Sequence, residues 1–236
     1  MPRGENKTIV ERRRRVEQFI LPILKRTYPD ARCSLDFRTP LQLLVATILS
    51  AQCTDERVNL VTKDLFRKYL TAKEYAEVPQ EKLEKEIQST GFFRNKAKSL
   101  RAMAAALVER HGGKVPQTME ELTQLAGVGR KTANVVLGNA YGKSIGITVD
   151  THVTRVSNRL GLTRHAVDAA KIEQDLMKVV PQEDWTMFSH LLIHHGRAIC
   201  QARKPKCDVC PLLLHCPAGQ KFVRNTRPSE KGLSRR

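Results

Sequence analysis

The chain contains 236 residues, of which 41% are hydrophobic, enough for one fair-sized domain or for two small ones. Lysine and arginine number 41 against 24 aspartate and glutamate, so the formal net charge is +17 and we expect a polyanion such as nucleic acid as partner. No apolar run approaches the roughly 18 residues that a membrane span needs. The composition therefore argues against an integral membrane protein, and the basic N-terminus lacks the apolar core of a secretion signal.

Apolar residues at helical spacing recur along the chain and strand patterns are scarce, so the sequence predicts an all-α fold. One helix should begin at Pro40, with Thr39 as its N-cap, and end near Ser50. Thr118 has the spacing of a capping box and should begin another helix, and Asp150 is placed to cap a third. Further helices are predicted near residues 58–66, 83–87, 96–111, 130–141, 167–180 and 185–199.

Segment 125–133, with the sequence LAGVGRKTA, predicts two helices joined by a very short Gly-Val-Gly turn. The glycines permit backbone angles that other residues avoid, and they leave bare amides at the start of the second helix, where a phosphate is favoured. An ordinary tight turn would also use glycines, but here Arg-Lys-Thr follows directly in a strongly basic chain. The predicted DNA contacts of this hairpin are Gly127, Val128, Gly129, Arg130 and Thr132.

Lys131 lies in the opening turn of the second helix of the hairpin. The helix dipole and the neighbouring Arg130 both disfavour the ammonium, so we expect a lowered pKa and a nucleophilic amine. Asp150 follows a short segment, 145–149, that we expect to be extended. A carboxylate can stabilise an oxocarbenium-like sugar carbon while an amine attacks it. The alternatives are a lysine that only binds phosphate and an aspartate that only caps its helix.

Four of the six cysteines lie within one short stretch, at Cys200, Cys207, Cys210 and Cys216. This asymmetry indicates a cofactor in a reducing compartment and not a disulfide framework. Four thiolates can bind structural zinc or an iron–sulfur cluster. Zinc sites usually have two C-x-x-C pairs, whereas this stretch has only one, so the spacing favours iron–sulfur and leaves zinc as the alternative.

The loop between the first two of these cysteines contains three cations, which closure of the loop would present on one surface. We predict that this surface contacts DNA and that a cluster would fix the loop, with electron transfer as the alternative role. The remaining cysteines, Cys33 and Cys53, are predicted to be small core residues. The three loop cations are Arg203, Lys204 and Lys206.

The hairpin sequence, extended through Asn-Val-Val-Leu, resembles bacterial endonuclease III, as do Val-Asp-Thr-His at 149–152, Leu-Ser-Ala-Gln at 49–52 and His-Gly-Arg at 195–197. The likeness extends from about Asp36 to Pro217. It implies that Lys131 forms a Schiff base with the sugar and that Asp150 assists it. The cysteine spacing is also that of the family, and the resemblance therefore implies a [4Fe–4S] cluster.

The same resemblance assigns two residues to the distortion of DNA. Gln52 would fill the gap left by a flipped nucleotide, and Phe92 would enter the duplex as an apolar wedge. The chain departs from the family pattern at Phe92, where a smaller aliphatic residue is common, so a core position is the alternative. Ala126 is a second departure, since proline is usual there.

The architecture implied by the resemblance is two helical lobes with Lys131 and Asp150 on either side of a groove. Residues 36–146 would form a six-helix barrel that contains the helix-hairpin-helix. Residues 11–35 and 147–219 would form the iron–sulfur domain. The tails, residues 1–10 and 220–236, are polar and basic, and we expect them to be disordered.

The resemblance implies a bifunctional DNA glycosylase and abasic-site lyase in base excision repair. Its substrate would be an oxidised or ring-saturated pyrimidine, flipped out of damaged double-stranded DNA. The alternatives are a monofunctional glycosylase of the same superfamily and a non-catalytic iron–sulfur DNA-binding protein. We expect a monomer in the bacterial cytoplasm that associates with the nucleoid through DNA and not with membranes.

Overall fold

The computed structural model describes residues 3–226, and this part of the chain contains helices and no β-strand, which confirms the all-α prediction. No helix in this range is both long enough and apolar enough to cross a bilayer. The α-helices are α1 Arg3–Arg15, α2 Leu21–Thr27, α3 Pro40–Leu49, α4 Asp55–Lys68, α5 Ala72–Glu77, α6 Gln80–Ile87, α7 Phe93–His111, α8 Met119–Thr123, α9 Arg130–Tyr141, α10 Thr151–Arg159, α11 Ala169–Met177, α12 Trp185–Ala198 and α13 Pro217–Thr226.

Two compact units divide the chain. A contiguous unit is formed by Cys33–Ile145, and a split unit is formed by Met1–Arg32 together with Gly146–Arg236. The resemblance places the corresponding boundaries at residues 36 and 146. Segment 145–149, expected to be extended, forms no strand.

The core of the contiguous unit is built around α3. This helix is apolar on all sides, and Leu43, Leu44 and Leu49 are fully buried, as expected of a helix surrounded by others. Thr39 caps it, since its side chain accepts a hydrogen bond from the backbone N–H of Gln42 at 3.2 Å. Helices α5 and α6 pack against α7, and α9 packs against α3.

The core of the split unit joins residues from both of its segments. Ile20 and Leu24, from the N-terminal segment, belong to the same buried cluster as Val153 of α10 and Phe188 of α12. α10 and α12 pack together, and α2 packs against α12. The N-terminal helices are therefore part of a core whose other members come after residue 146.

The expectation of disordered tails is wrong where the structure describes them. Helix α1 covers residues 3–10, and Ile9 packs against the core of the split unit. Helix α13 covers residues 217–226, with Pro217 in its first turn, and Phe222 lines a cavity in the same unit. Residues 1–2 and 227–236 lie outside the described residues.

Candidate active site and cysteine loop

The predicted hairpin is present, with a tight turn between α8 and α9. Gly127 has a φ of +75°, and a Cβ built on it would lie 3.0 Å from the Cβ of Ser99. Both the backbone angle and the close approach of α7 therefore require glycine here. The side chain of Val128 is buried and anchors the turn in the core.

Gly129 is the N-cap of α9 and supplies no side-chain cap. The first N–H groups of an α-helix have no partner within the helix, so their positive end is available to an anion. Arg130 and Lys131 follow in the first turn, and both are exposed, whereas Thr132 is half-buried. The amine of Lys131 is therefore accessible to a substrate beside a helix N-terminus.

Asp150 is the N-cap of α10, as the sequence predicts. Its Oδ1 accepts a hydrogen bond from the backbone N–H of Val153 at 2.8 Å, and the residue is half-buried. The cap fixes the carboxylate at the start of the helix. Lys131 belongs to the contiguous unit and Asp150 to the split unit.

His152 follows Asp150 in the first turn of α10. Burial lowers its pKa, the charges of Arg155 and Arg197 act in the same direction, and Asp150 opposes them. Arg155 Nη2 lies 3.0 Å from His152 Nδ1. Since a guanidinium can only donate, this contact favours the neutral imidazole with Nδ1 as acceptor, whereas a hydrogen bond to the Gly196 backbone favours the charged form.

Arg155 also connects α10 to the C-terminal end of α12. It donates to the carbonyl of Gly196 at 3.0 Å and, through Nε, to the carbonyl of Cys200 at 3.0 Å. A Cβ on Gly196 would lie 2.9 Å from His152 Nδ1 and 3.1 Å from Arg155 Nη2, so only glycine fits. The close approach explains the glycine of the His-Gly-Arg sequence.

Arg159, one turn further along α10, holds the start of the cysteine loop, residues 200–216. It donates to the carbonyls of Gln201 and Ala202, each at 2.8 Å, and to Cys200 Sγ at 3.3 Å. Sequence reasoning missed both Arg155 and Arg159. The available signal was their i, i+4 spacing, which places two long cationic side chains on the same face of one helix.

The four clustered cysteines line one cavity of about 230 Å³ within the split unit. Among the described residues, no three His, Cys, Asp or Glu side chains converge as they would around a single metal ion. Burial raises the pKa of Cys210 to about 11, and the neighbouring thiols contribute in the same direction. Four thiolates could share this cavity only with a strongly positive group between them.

The half-buried Tyr28 of the N-terminal segment and the buried His195 of α12 together support this cavity. Tyr28 Oη lies 3.0 Å from His195 Nδ1, and His195 Nε2 lies 3.6 Å from Cys210 Sγ. Burial raises the pKa of Tyr28 to about 12, and the charges of Cys210 and Cys200 add to the shift. The predicted DNA-contact cations of the cysteine loop are all exposed, at Arg203, Lys204 and Lys206.

Gln52 and Phe92 are the non-glycine residues with positive φ in the described part of the chain, at 54° and 48°. Both line an open cavity of about 200 Å³ in the contiguous unit, together with Gly127 of the hairpin. Phe92 is 63% exposed, so the alternative of a core position is wrong. Cys33 and Cys53 are half-buried and pack against the core of this unit.

Comparison with known proteins identifies the family of this chain. Residues 45–182 match the family model described as HhH-GPD superfamily base excision DNA repair protein, so the chain is of that class. It is 59% identical to endonuclease III of Synechocystis sp. over 85% of this chain and 91% of the relative. The chain belongs to the endonuclease III family, and it is a bifunctional DNA glycosylase and abasic-site lyase that acts in base excision repair.

Solved structures of the family are also similar to this chain. One is a non-covalent endonuclease III–DNA complex, with a TM-score of 0.84 and 46% identity over 90% of this chain and 98% of the other. Another is a trapped endonuclease III–DNA covalent intermediate with an estranged adenine, with a TM-score of 0.81 and 48% identity over 85% of this chain and 94% of the other. The suspected resemblance and the enzyme class are thus confirmed.

Proposed function

We propose that the enzyme removes oxidised or ring-saturated pyrimidines from duplex DNA through an imine formed by Lys131. The observation that carries the proposal is the exposed lysine in the first turn of α9, directly after the uncapped Gly-Val-Gly hairpin. A related structure is a trapped endonuclease III–DNA covalent intermediate, which supports a covalent step.

In the proposed reaction, the amine of Lys131 attacks C1′ of the damaged nucleotide. The glycosidic bond breaks, and its electron pair leaves with the base, which takes up a proton. Asp150 stabilises the positive charge that develops on the sugar. The nitrogen then loses a proton, its electron pair forms the imine as the C1′–O4′ bond breaks, and O4′ takes up a proton. Loss of a C2′ proton expels the 3′ phosphate, which cleaves the strand by β-elimination.

We propose that three groups of residues bind the damaged DNA. The bare amides of the hairpin bind a phosphate near Gly127–Lys131. Gln52 fills the space of the flipped nucleotide, and Phe92, whose ring is already exposed, enters the duplex. Arg203, Lys204 and Lys206 contact the backbone from the cysteine loop.

We infer that the four clustered cysteines hold a [4Fe–4S] cluster. The cavity of about 230 Å³ that all four cysteines line has room for a group larger than a single ion, and four thiolates there would need positive charge. When bound, the cluster cross-links the loop that carries the three cations. Iron and sulfide content with a visible absorbance band would support this inference, whereas stoichiometric zinc would contradict it.

The central experiment compares Lys131→Gln with the wild type and with Lys114→Gln, which removes an exposed lysine elsewhere in the contiguous unit. Borohydride reduces an imine, so we expect covalent trapping on lesion duplexes by the wild type and by Lys114→Gln. Lys131→Gln should bind these duplexes without trapping or strand cleavage. Trapping by Lys131→Gln, or none by an otherwise active wild type, would contradict the proposal.

We also propose that the enzyme acts as a monomer on nucleoid DNA in the bacterial cytoplasm. The unpaired cysteines of the described chain suit a reducing compartment. Sedimentation of the cluster-loaded protein would test the monomer, since a stable dimer would sediment with twice the mass.

A further inference from the structure

Lys96 of α7 is a buried lysine whose ammonium is used inside the protein. The residue is 5% exposed, and its Nζ donates to the carbonyl of Leu49 and to the carbonyl of Thr90, each at 2.8 Å. Burial lowers its pKa, so the ammonium is retained at a cost in desolvation. Such a cost calls for a role beyond packing, since an apolar side chain would avoid it.

The two carbonyls belong to the segments that lead into Gln52 and Phe92. Leu49 is the last residue of α3, three residues before Gln52, and Thr90 ends a short 3₁₀ turn, two residues before Phe92. Carbonyls at helix ends lack a partner within the helix, and the helix dipole favours a cation there. A single ammonium therefore satisfies both segment ends and ties them together.

The two exposed residues cannot fix their own positions. Gln52 and Phe92 both hold a left-handed backbone, which is unfavourable for residues with a Cβ and persists only where the surroundings impose it. Both side chains are exposed, so little packing restrains them. Backbone hydrogen bonds hold the two turns, from Lys96 N–H to the carbonyl of Phe92 and from Cys53 N–H to the carbonyl of Ser50. The ammonium of Lys96 adds two hydrogen bonds to the segments that precede them.

We propose that Lys96 is a positioning residue that holds Gln52 and Phe92 as a pair for entry into duplex DNA. The inference rests on the proposed roles of these two residues. Duplex DNA requires both side chains to enter at a set separation, because one replaces the flipped nucleotide and the other separates the stack. Single-stranded DNA with an abasic site has no stack to open, so the position of the pair matters little there.

The test compares Lys96→Met with Lys98→Met, which removes the same charge from an exposed position of α7. We expect Lys96→Met to release a damaged base from duplex DNA about 10- to 100-fold more slowly than the wild type, the scale of a small misplacement. Its cleavage of a single-stranded abasic oligonucleotide should be unchanged. Lys98→Met should match the wild type in the ratio of the two rates.

A double-mutant cycle separates positioning from a general structural role. In a Gln52→Ala, Phe92→Ala background, adding Lys96→Met should cause no further loss on the duplex, because the residues that it positions are gone. A loss that persists in this background, or an equal loss on both substrates, would overturn the proposal. Lys96→Gln is measured in parallel, and circular dichroism establishes that each variant is folded.

The Gln variant keeps one amide donor for the two carbonyls, so its duplex rate should lie between those of the wild type and Lys96→Met. Lys96→Gln replaces Lys96→Met in this test if the Met variant does not fold. A wild type that cleaves neither substrate would refute the proposed function itself. A wild type that cleaves both, with Lys96→Gln and any folded Lys96→Met cleaving the duplex equally well, would refute only the role of Lys96.

Discussion

The two glycines of the hairpin turn, Gly127 and Gly129, have different roles in the structure. Gly127 has a positive φ and lies against Ser99, whereas Gly129 has an ordinary φ of −94° and no atom within 4 Å of a built Cβ. The need for glycine at Gly127 is therefore steric. At Gly129 it is the absence of a capping side chain that leaves the amides of α9 open.

Gly127→Ala should lower the free energy of unfolding by about 1–2 kcal/mol, because the left-handed angle is costly for any residue with a Cβ. The contact with Ser99 adds to this cost. Gly129→Ala is the matched control, and we expect a change below about 0.5 kcal/mol. Urea unfolding of both variants measures the difference, and equal stabilities would show that the turn relaxes without cost.

Residues whose role depends on local chain geometry could be predicted from the sequence. Thr39, Thr118 and Asp150 are N-caps as predicted, because a cap bonds to an amide only two or three residues away. The long-range partners of Arg155 and Lys96 could not be predicted, since the carbonyls of Cys200 and Leu49 lie more than 40 residues away in the chain. Nothing in the local sequence specifies such pairs.

Helix α10 connects the candidate carboxylate to the cysteine loop. Asp150 caps its first turn, and Arg155 and Arg159 on later turns donate to carbonyls at the start of the loop. The carbonyls lie within one short segment, so two guanidinium groups fix its path. The helix therefore places the loop through side-chain hydrogen bonds as well as through packing.

Arg159→Met should loosen the attachment of the loop, because the carbonyls of Gln201 and Ala202 lose their donor. We expect the variant to lose its cluster absorbance faster than the wild type when exposed to a chelator or to oxygen. Arg164→Met removes an exposed arginine from the same unit and should retain the wild-type rate. Equal rates in all three proteins would show that the loop is held by other contacts.

Helix α12 contains a half-buried histidine, His190, that makes stability depend on pH. Burial lowers the pKa of His190 to about 4, and the charge of His194 acts in the same direction. The ordinary value of 6.5 applies when the chain is unfolded, so the unfolded state binds more protons below that pH. The stability that depends on neutral His190 is therefore present in full above about pH 6.5 and is lost as the pH drops toward about 4.

His190→Gln should abolish this part of the pH dependence. By about pH 5 the wild type should have lost about 1–2 kcal/mol through His190 relative to about pH 7. Urea unfolding at both pH values gives the difference for each protein. The same slope in wild type and variant would show that His190 is protonated without unfolding.

Helices with strong local signals were predicted within a few residues, including α3, α7, α9 and α12. The parts of α1 and α13 within residues 1–10 and 220–236 were predicted to be disordered, because these stretches are basic and contain few apolar residues. In the structure, Ile9 of α1 packs against the core of the split unit. Phe222 of α13 lines the cysteine cavity. α5 was missed altogether, although Thr71 and Glu74 form its capping box.

At the scale of the whole molecule, the net charge of +17 should dominate the association with DNA. The all-α class and the family could be predicted from composition and motifs. The interleaving of the split unit's two segments could not be derived from helical periodicity, because periodicity reports which face is buried and not what covers it. Only the resemblance to a family predicted that the two segments form one domain.

Neutralising the three cations of the cysteine loop should lower the salt dependence of duplex binding. Each lost phosphate contact should reduce the slope of log affinity against log salt by about 0.9. A control that removes the same charge from the exposed surface of the contiguous unit should change the slope less. The two triple variants replace, with glutamine, Arg203, Lys204 and Lys206 in one case and Lys63, Lys82 and Lys85 in the other.

Fluorescence titration of a labelled duplex at several salt concentrations gives both slopes. Equal slopes for the two triple variants would show that the loop contributes only its net charge. A smaller slope for the loop variant would place these side chains on the phosphates. The comparison uses cluster-loaded protein, so that the loop is ordered in both.

The split unit also determines the order in which the enzyme can be completed on the ribosome. Ile20 and Leu24 leave the exit tunnel first, yet α12, which covers them, is translated only after all of Cys33–Ile145. During that interval the nascent chain exposes an apolar helix face, a condition that favours aggregation. Four consecutive arginines, Arg12–Arg15, adjoin that face, and we expect the repulsion between like charges on neighbouring nascent chains to oppose that aggregation.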